Sequence, residues 1–368
     1  MSESGRPPVD VAVIGAGLTG LAIAREAARA GARVVVFEAE GLPRRPFEAG
    51  WVTAQCDADE HDATSSLRLA GRSLFFDWVA AVESESGHRV PRREGGTLVP
   101  ALTLPELEVV HDRASWQRHR RLGFETLTGG STRDRQPGLA DELVAALHLR
   151  EDRAVDADAL HAALLVSAAA AGVELHLASP VFRLVTQGRA VSGVQVNEGQ
   201  ILAGVTVIAA GVSSGGFGLP PVPIVPKREL VAVLGLGRAF THGLWHDRFR
   251  VSPLPDGRVF ITGPLEAVGF DRRVPAGRLA KLLNETFHLA PSLGDLPLLT
   301  AGCVLRATTP DGRPMLGSTD AQSLIYATGF ADHGLPLAPI AAKLLVEYMQ
   351  TGNPSLDWSA FDPRRFSQ

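Results

Sequence analysis

The spacing of apolar and polar residues at the start of the chain predicts one β-strand, one α-helix and a second β-strand. The run VDVAVI at 9–14 is typical of a buried parallel strand. The segment LAIAREAARAG that follows has helical periodicity and stops at Gly31. A second apolar run, RVVVFEAE, then carries Glu38 near its end. This order predicts a βαβ unit and therefore a parallel sheet.

The rest of the chain alternates helical periodicity with short strand patterns. Helices are expected at 64–85, 104–123, 155–172, 276–288 and from about Pro336. Strands of an antiparallel sheet are expected in RELVAVLGLG, FRVSPLP and GRVFITGP. The proline-dense stretch GLPPVPIVP at 218–226 is a natural crossing between two domains.

Composition and charge narrow the class of protein. The chain has 368 residues, 45% hydrophobic and 21% charged, which fits two globular domains or one large interleaved unit. A net charge of -4 argues against a nucleic-acid or membrane partner. No apolar run reaches about 18 residues, so we expect a cytoplasmic protein. Cys56 and Cys303 have no metal-ligand spacing, so no metal site is expected.

The turn after the first strand has the spacing of a nucleotide-binding motif. Gly15 allows a tight turn, Gly17 lets a pyrophosphate approach the backbone, and Gly20 lets helix and strand pack closely. The start of the helix offers free N–H groups to phosphate. Glu38 lies where an acid accepts hydrogen bonds from a ribose, which disfavours a 2′-phosphate. The motif alone does not separate NAD from FAD, although its N-terminal position favours FAD.

The order of several further motifs resembles the D-amino acid oxidase superfamily, and its glycine oxidase branch of thiamine biosynthesis in particular. The motifs are REGGTLVP, ADALHAALLVSAAAAGVEL, VTVIAAGVSS, LRATTPDGRPMLGS and ATGFADHGLPLAPIAAKLL. The resemblance implies FAD and oxidation of a small amino acid or amine by hydride transfer. An imine and, with molecular oxygen, hydrogen peroxide would be the products.

The resemblance also implies a fold and a division of the chain. We expect an α/β protein with a Rossmann-like FAD-binding domain built from discontinuous segments and an α+β substrate domain with an antiparallel sheet. The FAD-binding domain is assigned to 1–85, 145–220 and 300–368, and the substrate domain to 86–144 and 221–299. A homo-oligomer remains an open alternative.

The resemblance places cofactor contacts in several short segments. Leu18 and Thr19 would lie over the pyrophosphate, Glu38 and Ala39 on the ribose, and Val181 at the adenine. Arg44 and Arg45 would either bind the pyrophosphate or be solvated on the surface. The flavin would be lined by Ala49, Gly50, Trp51, Gly211, Gly329, Phe330, Ala331, Asp332, His333, Gly334, Leu335 and Pro336.

The resemblance implies that Arg306 binds a substrate carboxylate, and a guanidinium flanked by apolar strand residues needs an anionic partner. The alternative is an arginine that donates hydrogen bonds to buried loop carbonyls. Arg250, Asp332 and Trp51 depart from the glycine oxidase pattern. Asp332 could hold a substrate cation, Arg250 with Arg306 could hold two carboxylates, or Arg250 and Asp332 could pair with each other. A different substrate, a dehydrogenase and an inactive flavin-binding scaffold are therefore alternatives.

Overall fold

The computed structural model describes residues 8–41, 47–58, 64–217, 222–235 and 239–367. Within them the chain forms two eight-stranded sheets and one small three-stranded sheet. The strands in chain order are β1 (Val9–Ile14), β2 (Val34–Phe37), β3 (Trp51–Val52), β4 (Arg92–Arg93), β5 (Thr97–Ala101), β6 (Glu125–Thr128), β7 (Ala145–Leu149), β8 (Arg153–Val155), β9 (Glu174–His176), β10 (Arg183–Gln187), β11 (Ala190–Val196), β12 (Gly199–Ile208), β13 (Val225–Leu234), β14 (Gly243–His246), β15 (Phe249–Pro253), β16 (Val259–Thr262), β17 (Leu298–Thr308), β18 (Met315–Ser318) and β19 (Leu324–Thr328).

Seven α-helices connect and cover these sheets in the described part of the chain. They are α1 (Leu18–Arg29), α2 (Ser65–Ser86), α3 (Leu104–His119), α4 (Gly129–Arg135), α5 (Ala157–Ala170), α6 (Ala276–Leu289) and α7 (Gly334–Thr351). The α/β class expected from the sequence is confirmed. None of the helices in the described segments is long and apolar enough to cross a membrane.

The first sheet has a parallel centre in which β1 lies between β2 and β12, and β12 also pairs with β19. Val11 and Val13 of β1 belong to the apolar cluster shared with α1, α2, α5 and α7. Ala12 and Ile14 face the opposite side and pack with residues of β10 and β11. Both faces of the sheet are thus buried, as the apolar run VDVAVI predicts.

The second sheet has the strand order β17-β13-β16-β15-β14-β5-β7-β6. Its pairings are antiparallel except for the parallel pair β5–β14. Helix α6 packs against one face, whereas Trp51, Trp245 and residues of α3 pack against the other. The three strand segments expected to form an antiparallel sheet all lie here, as β13, β15 and β16.

Two strands differ from the predicted division of the chain. β7, and β17 from Thr300 onward, lie in segments assigned to the FAD-binding domain, yet both strands hydrogen-bond within the second sheet. β17 is held there because it pairs with β13 from Leu298 to Thr308. The rest of the division stays a prediction. Helix bounds also differ slightly, since α3 ends at His119 and α7 begins at Gly334.

Candidate functional site

The glycine turn between β1 and α1 can be formed only by residues without a side chain at two positions. Gly15 has φ +108°, and a Cβ there would lie 2.6 Å from the carbonyl oxygen of Ala209. A Cβ at Gly20 would overlap the carbonyl oxygen of Gly15. Gly17 precedes the helix and gives it no side-chain cap. The first N–H groups of α1 are therefore left to a ligand, as a pyrophosphate requires.

Glu38 follows β2 and is fixed beside this turn by backbone donors. Its Oε2 accepts a hydrogen bond from the N–H of Ala16 at 2.9 Å, and its Oε1 accepts one from the N–H of Glu40 at 3.2 Å. The carboxylate thus has a defined position with lone pairs to spare, because a carboxylate has about four acceptor sites. It fits the role of ribose acceptor.

A cavity of about 450 Å³ runs from the glycine turn to the start of α7. It brings together most of the residues that were predicted to bind the cofactor or substrate. Those lining it are Gly15, Gly17, Leu18, Thr19, Glu38, Ala39, Val181, Gly211, Arg306, Gly329, Phe330, Ala331, Asp332, Gly334 and Leu335. The cavity thus combines the glycine turn, the uncapped N-terminus of α1 and the carboxylate of Glu38, and this combination fits FAD.

The turn before α7 is held in an unusual backbone conformation. Gly329 has φ +75° and Ala331 has φ +52°, the second being rare for a residue with a side chain. The N–H of Ala331 donates to the carbonyl of Ala307 on β17 at 2.9 Å, which ties the turn to the second sheet. The ring nitrogen Nδ1 of His333 is buried without a hydrogen-bond partner in the described structure. The turn therefore presents the N-terminus of α7 to the cavity.

Arg306, on β17, already binds two carboxylates of the chain itself. Its Nη1 donates to Oε2 of Glu48 at 2.5 Å and its Nη2 to Oε1 of Glu48 at 3.0 Å. Its Nε and Nη2 donate to Oε2 of Glu229 at 2.8 and 2.6 Å. The expected carboxylate-binding chemistry is present, but these partners would compete with any substrate carboxylate.

The charged forms of Arg306 and Asp332 are stabilised by neighbouring groups of opposite charge. Burial disfavours the charged form of Arg306, but Glu229 and Glu48 outweigh it and raise the pKa of Arg306 well above its ordinary value. Burial likewise opposes ionisation of Asp332, but Arg250, His333 and Arg306 together outweigh it and lower the pKa of Asp332 to about 2. Arg306 and Asp332 are therefore both charged at neutral pH.

Arg250, on β15, pairs with Asp332, which was one of the three alternatives that the sequence left open. Its Nη1 donates to Oδ2 of Asp332 and lies 3.7 Å from Oε1 of Glu229. Its guanidinium also stacks 3.9 Å from the ring centroid of Trp245. Trp245 in turn meets Trp51 edge to face, with centroids 5.3 Å apart. Arg250 and Trp51 lie behind the cavity wall rather than on it.

The remaining predicted contacts lie outside this cavity wall. Gly20 packs beneath Gly15, and Ala49, Gly50 and Trp51 are buried around the short strand β3. His333 lines a neighbouring cavity together with Asp57 and Arg68. Pro336 is buried within α7. Arg44 and Arg45 lie outside the described residues.

Two residues of the site, Glu48 and Glu229, were not predicted from the sequence. Glu229 lies opposite Val304 on β17, so it shares a sheet face with Arg306 two positions further along. An acid within the apolar run RELVAVL was the available signal, because a buried carboxylate needs a partner. Glu48 carries no such signal, because it lies in a loop rich in proline and charge.

A family model described as FAD dependent oxidoreductase matches residues 10–348. The chain belongs to this family, and it is an oxidoreductase whose cofactor is FAD. The chain is similar to the bifunctional protein ThiO/ThiG of Trichormus variabilis, at 31% identity over 98% of this chain and 55% of that protein. It thus spans about half the length of that relative.

Full-length similarity extends to smaller proteins. The glycine oxidase of Geobacillus kaustophilus is 27% identical, with 97% of each chain covered. A crystal structure of glycine oxidase from that organism has a TM-score of 0.92 at 25% identity, covering 98% of this chain and 99% of that one. The iminodiacetate oxidase of Chelativorans sp. shares the fold, with a TM-score of 0.86 at 23% identity over 96% and 98% of the two chains.

Proposed function

We propose that this enzyme oxidises the carbon–nitrogen bond of a small amine or amino acid, giving an imine and, with molecular oxygen, hydrogen peroxide. The observation that carries the proposal is the arrangement of Arg306, Glu48 and Asp332 on the wall of the cavity that holds the glycine turn. Charged groups beside the start of α7 can orient a polar substrate there. The similarity to proteins named glycine oxidase supports this reaction class.

When bound, FAD supplies the hydride acceptor. The chain contributes position and electrostatics: the backbone N–H groups at the start of α7 and the helix dipole favour negative charge nearby. The ion pairs of Arg306 and Arg250 fix the charged side chains that the substrate meets. The amine can release its proton to solvent, so the reaction requires no protein general base.

An anaerobic absorbance measurement tests the proposal. The purified holoenzyme should lose its flavin absorbance on mixing with at least one member of a panel of amino acids and amines. Readmitted oxygen should restore the absorbance and yield peroxide if the enzyme is an oxidase. Restoration only by an added electron carrier would identify a dehydrogenase. No bleaching by any compound would favour the flavin-binding scaffold.

The same similarity supports a proposal about the pathway. Because the relative named ThiO/ThiG aligns with nearly the whole of this chain, we propose a role in thiamine biosynthesis, which the sequence alone left open. Deletion of the gene should then create a requirement for thiamine, and growth unaffected by the deletion would refute the role. Cytoplasmic location and oligomeric state stay predictions.

A further inference from the structure

A buried histidine from a distant part of the chain contacts the glycine turn. His161 lies in the second turn of α5, and only 2% of its surface is exposed. Its ring nitrogen Nε2 lies 2.7 Å from the carbonyl oxygen of Ala16, which is 145 positions earlier in the chain. Because a carbonyl oxygen can only accept a hydrogen bond, Nε2 carries the hydrogen and donates it.

This contact completes a clamp on Ala16, the residue between the first two glycines of the turn. The N–H of Ala16 donates to Oε2 of Glu38, and the carbonyl of Ala16 accepts from His161. Ala16 itself is fully buried. Both peptide groups of Ala16 are therefore held by side chains, one from the end of β2 and the other from α5.

The orientation of the peptide between Ala16 and Gly17 decides what the turn offers to a ligand. A peptide bond is planar and trans, so its carbonyl and its N–H point in opposite directions. The carbonyl of Ala16 points towards His161 in α5. The N–H of Gly17 therefore points away from α5, and Gly17 lines the cavity. A phosphate in the cavity can accept from this N–H.

Helix α5 is itself fixed at two further places, so His161 has a defined position. The side chain of Asp156 caps the N-terminus of α5 by accepting from the N–H of Ala159 at 3.0 Å. Two turns after His161, Oγ of Ser167 accepts from Nε of Arg25 in α1 at 2.7 Å. The second bond joins α5 to α1 without touching the glycine turn.

We propose that His161 is a positioning residue for FAD, whose hydrogen bond to Ala16 makes the turn present an N–H, and not a carbonyl oxygen, to the pyrophosphate. Without this bond the peptide between Ala16 and Gly17 is free to rotate. Rotation turns the carbonyl oxygen towards the negatively charged phosphates, which it repels. This role concerns the cofactor, so it holds whichever amine the enzyme oxidises.

Two amide variants of different length test the hydrogen bond. In His161→Gln an N–H donor lies about as far from the backbone as Nε2, whereas in His161→Asn it is one methylene group shorter. His161→Asn should raise the Kd of FAD about tenfold, and His161→Gln less than about threefold, because only the longer amide reaches Ala16. Recovery of flavin fluorescence on dilution of the holoenzyme measures the Kd. Equal affinities of the two variants would overturn the proposal.

The phosphorus NMR spectrum of the bound cofactor gives a readout that looser helix packing alone does not change. His161→Asn should shift the pyrophosphate resonances of the holoenzyme, because the N–H beside the phosphates changes direction. His161→Gln should leave the resonances close to those of the wild type. Unshifted resonances in the Asn variant would overturn the orienting role.

Ser167→Ala is the matched control, because Ser167 is a buried residue of the same helix that does not touch the turn. The variant loses the bond to Arg25 and should lower the melting temperature of the protein, since a buried donor loses its partner. It should leave the Kd of FAD and the phosphorus resonances unchanged. A Kd raised as much by Ser167→Ala as by His161→Asn would overturn the specific role of His161.

Discussion

Arg250 and Asp332 are 82 positions apart in the chain, yet they form an ion pair between β15 of the second sheet and the turn before α7. The exposed fractions of their side chains are 16% and 9%. The pair thus joins the second sheet, through β15, to the N-terminal end of α7 at the cavity. Because both charges lie largely out of water, each depends on its partner.

A double-mutant cycle on this pair should show strong coupling. Arg250→Met or Asp332→Leu alone should lower the free energy of unfolding by about 3–5 kcal/mol, because each leaves an uncompensated buried charge. The double variant should lose less than the sum of the two single losses. Urea unfolding of the four proteins measures the coupling, and strictly additive losses would show that the two side chains act independently.

Arg306 should be more sensitive to the shape of its side chain than to its charge. Arg306→Leu should destabilise the fold by about 3–5 kcal/mol, because Glu229 would stay buried without a partner. Arg306→Lys should recover only part of this loss, since a point charge cannot bind two carboxylates as the planar fork does. Thermal unfolding of both variants makes the comparison. Full recovery by lysine would contradict the geometric argument.

Glu38→Arg should weaken FAD binding by about 10- to 100-fold, the effect of losing a hydrogen bond to a charged acceptor. The ribose would lose its acceptor, and the glycine turn would lose the bond from the N–H of Ala16. Recovery of flavin fluorescence during dilution measures the affinity. The matched control is Glu198→Arg, in the exposed turn between β11 and β12, which should bind FAD normally. Unchanged affinity in the Glu38 variant would remove Glu38 from the site.

Gly20→Ala should destabilise the protein by about 1–3 kcal/mol and weaken FAD binding, because the added methyl group overlaps the carbonyl of Gly15. Gly277→Ala, in α6, is a suitable control because a Cβ there meets nothing within 4 Å. Thermal melts with and without added FAD separate the two effects. A melt of the Gly20 variant equal to that of the control would refute the close-packing role.

His242 should make the protein less stable in mild acid. Burial, then the nearby charge of His148, lowers the pKa of His242 from 6.5 to about 4. Between these values the unfolded chain binds a proton that the folded chain does not, so the free energy of unfolding falls as the pH falls through this window. The ring is partly exposed, so we expect a loss of about 1–2 kcal/mol between pH 7 and 4. His242→Gln should reduce the acid loss by this amount in urea titrations. An identical pH profile would exclude His242 as its source.

The parts of the fold that sequence predicts well are those fixed by neighbouring residues. The strand, glycine turn, helix and second strand up to Glu38 follow one another within about thirty residues, and each has a local signal. The pairing of β13 with β17 has no such signal, because it joins segments about seventy residues apart. Glu229 reaches Arg306 only through that pairing, and Glu48 reaches it only through the loop before β3. The motif residues were therefore predictable, whereas the partners that decide the charge of the site were not.

The arrangement of the first sheet has a consequence for protein synthesis. β1 emerges from the ribosome early, but its neighbour β12 begins at Gly199 and the next strand, β19, ends at Thr328. β1 can pair with β2 soon after both are made. At a synthesis rate of about 5–20 residues per second, however, the opposite edge of β1 remains without β12 for roughly ten seconds or longer. During that interval an apolar strand edge is open to other chains. We expect nascent chains stalled before residue 199 to bind chaperones and those extended past α7 to be released.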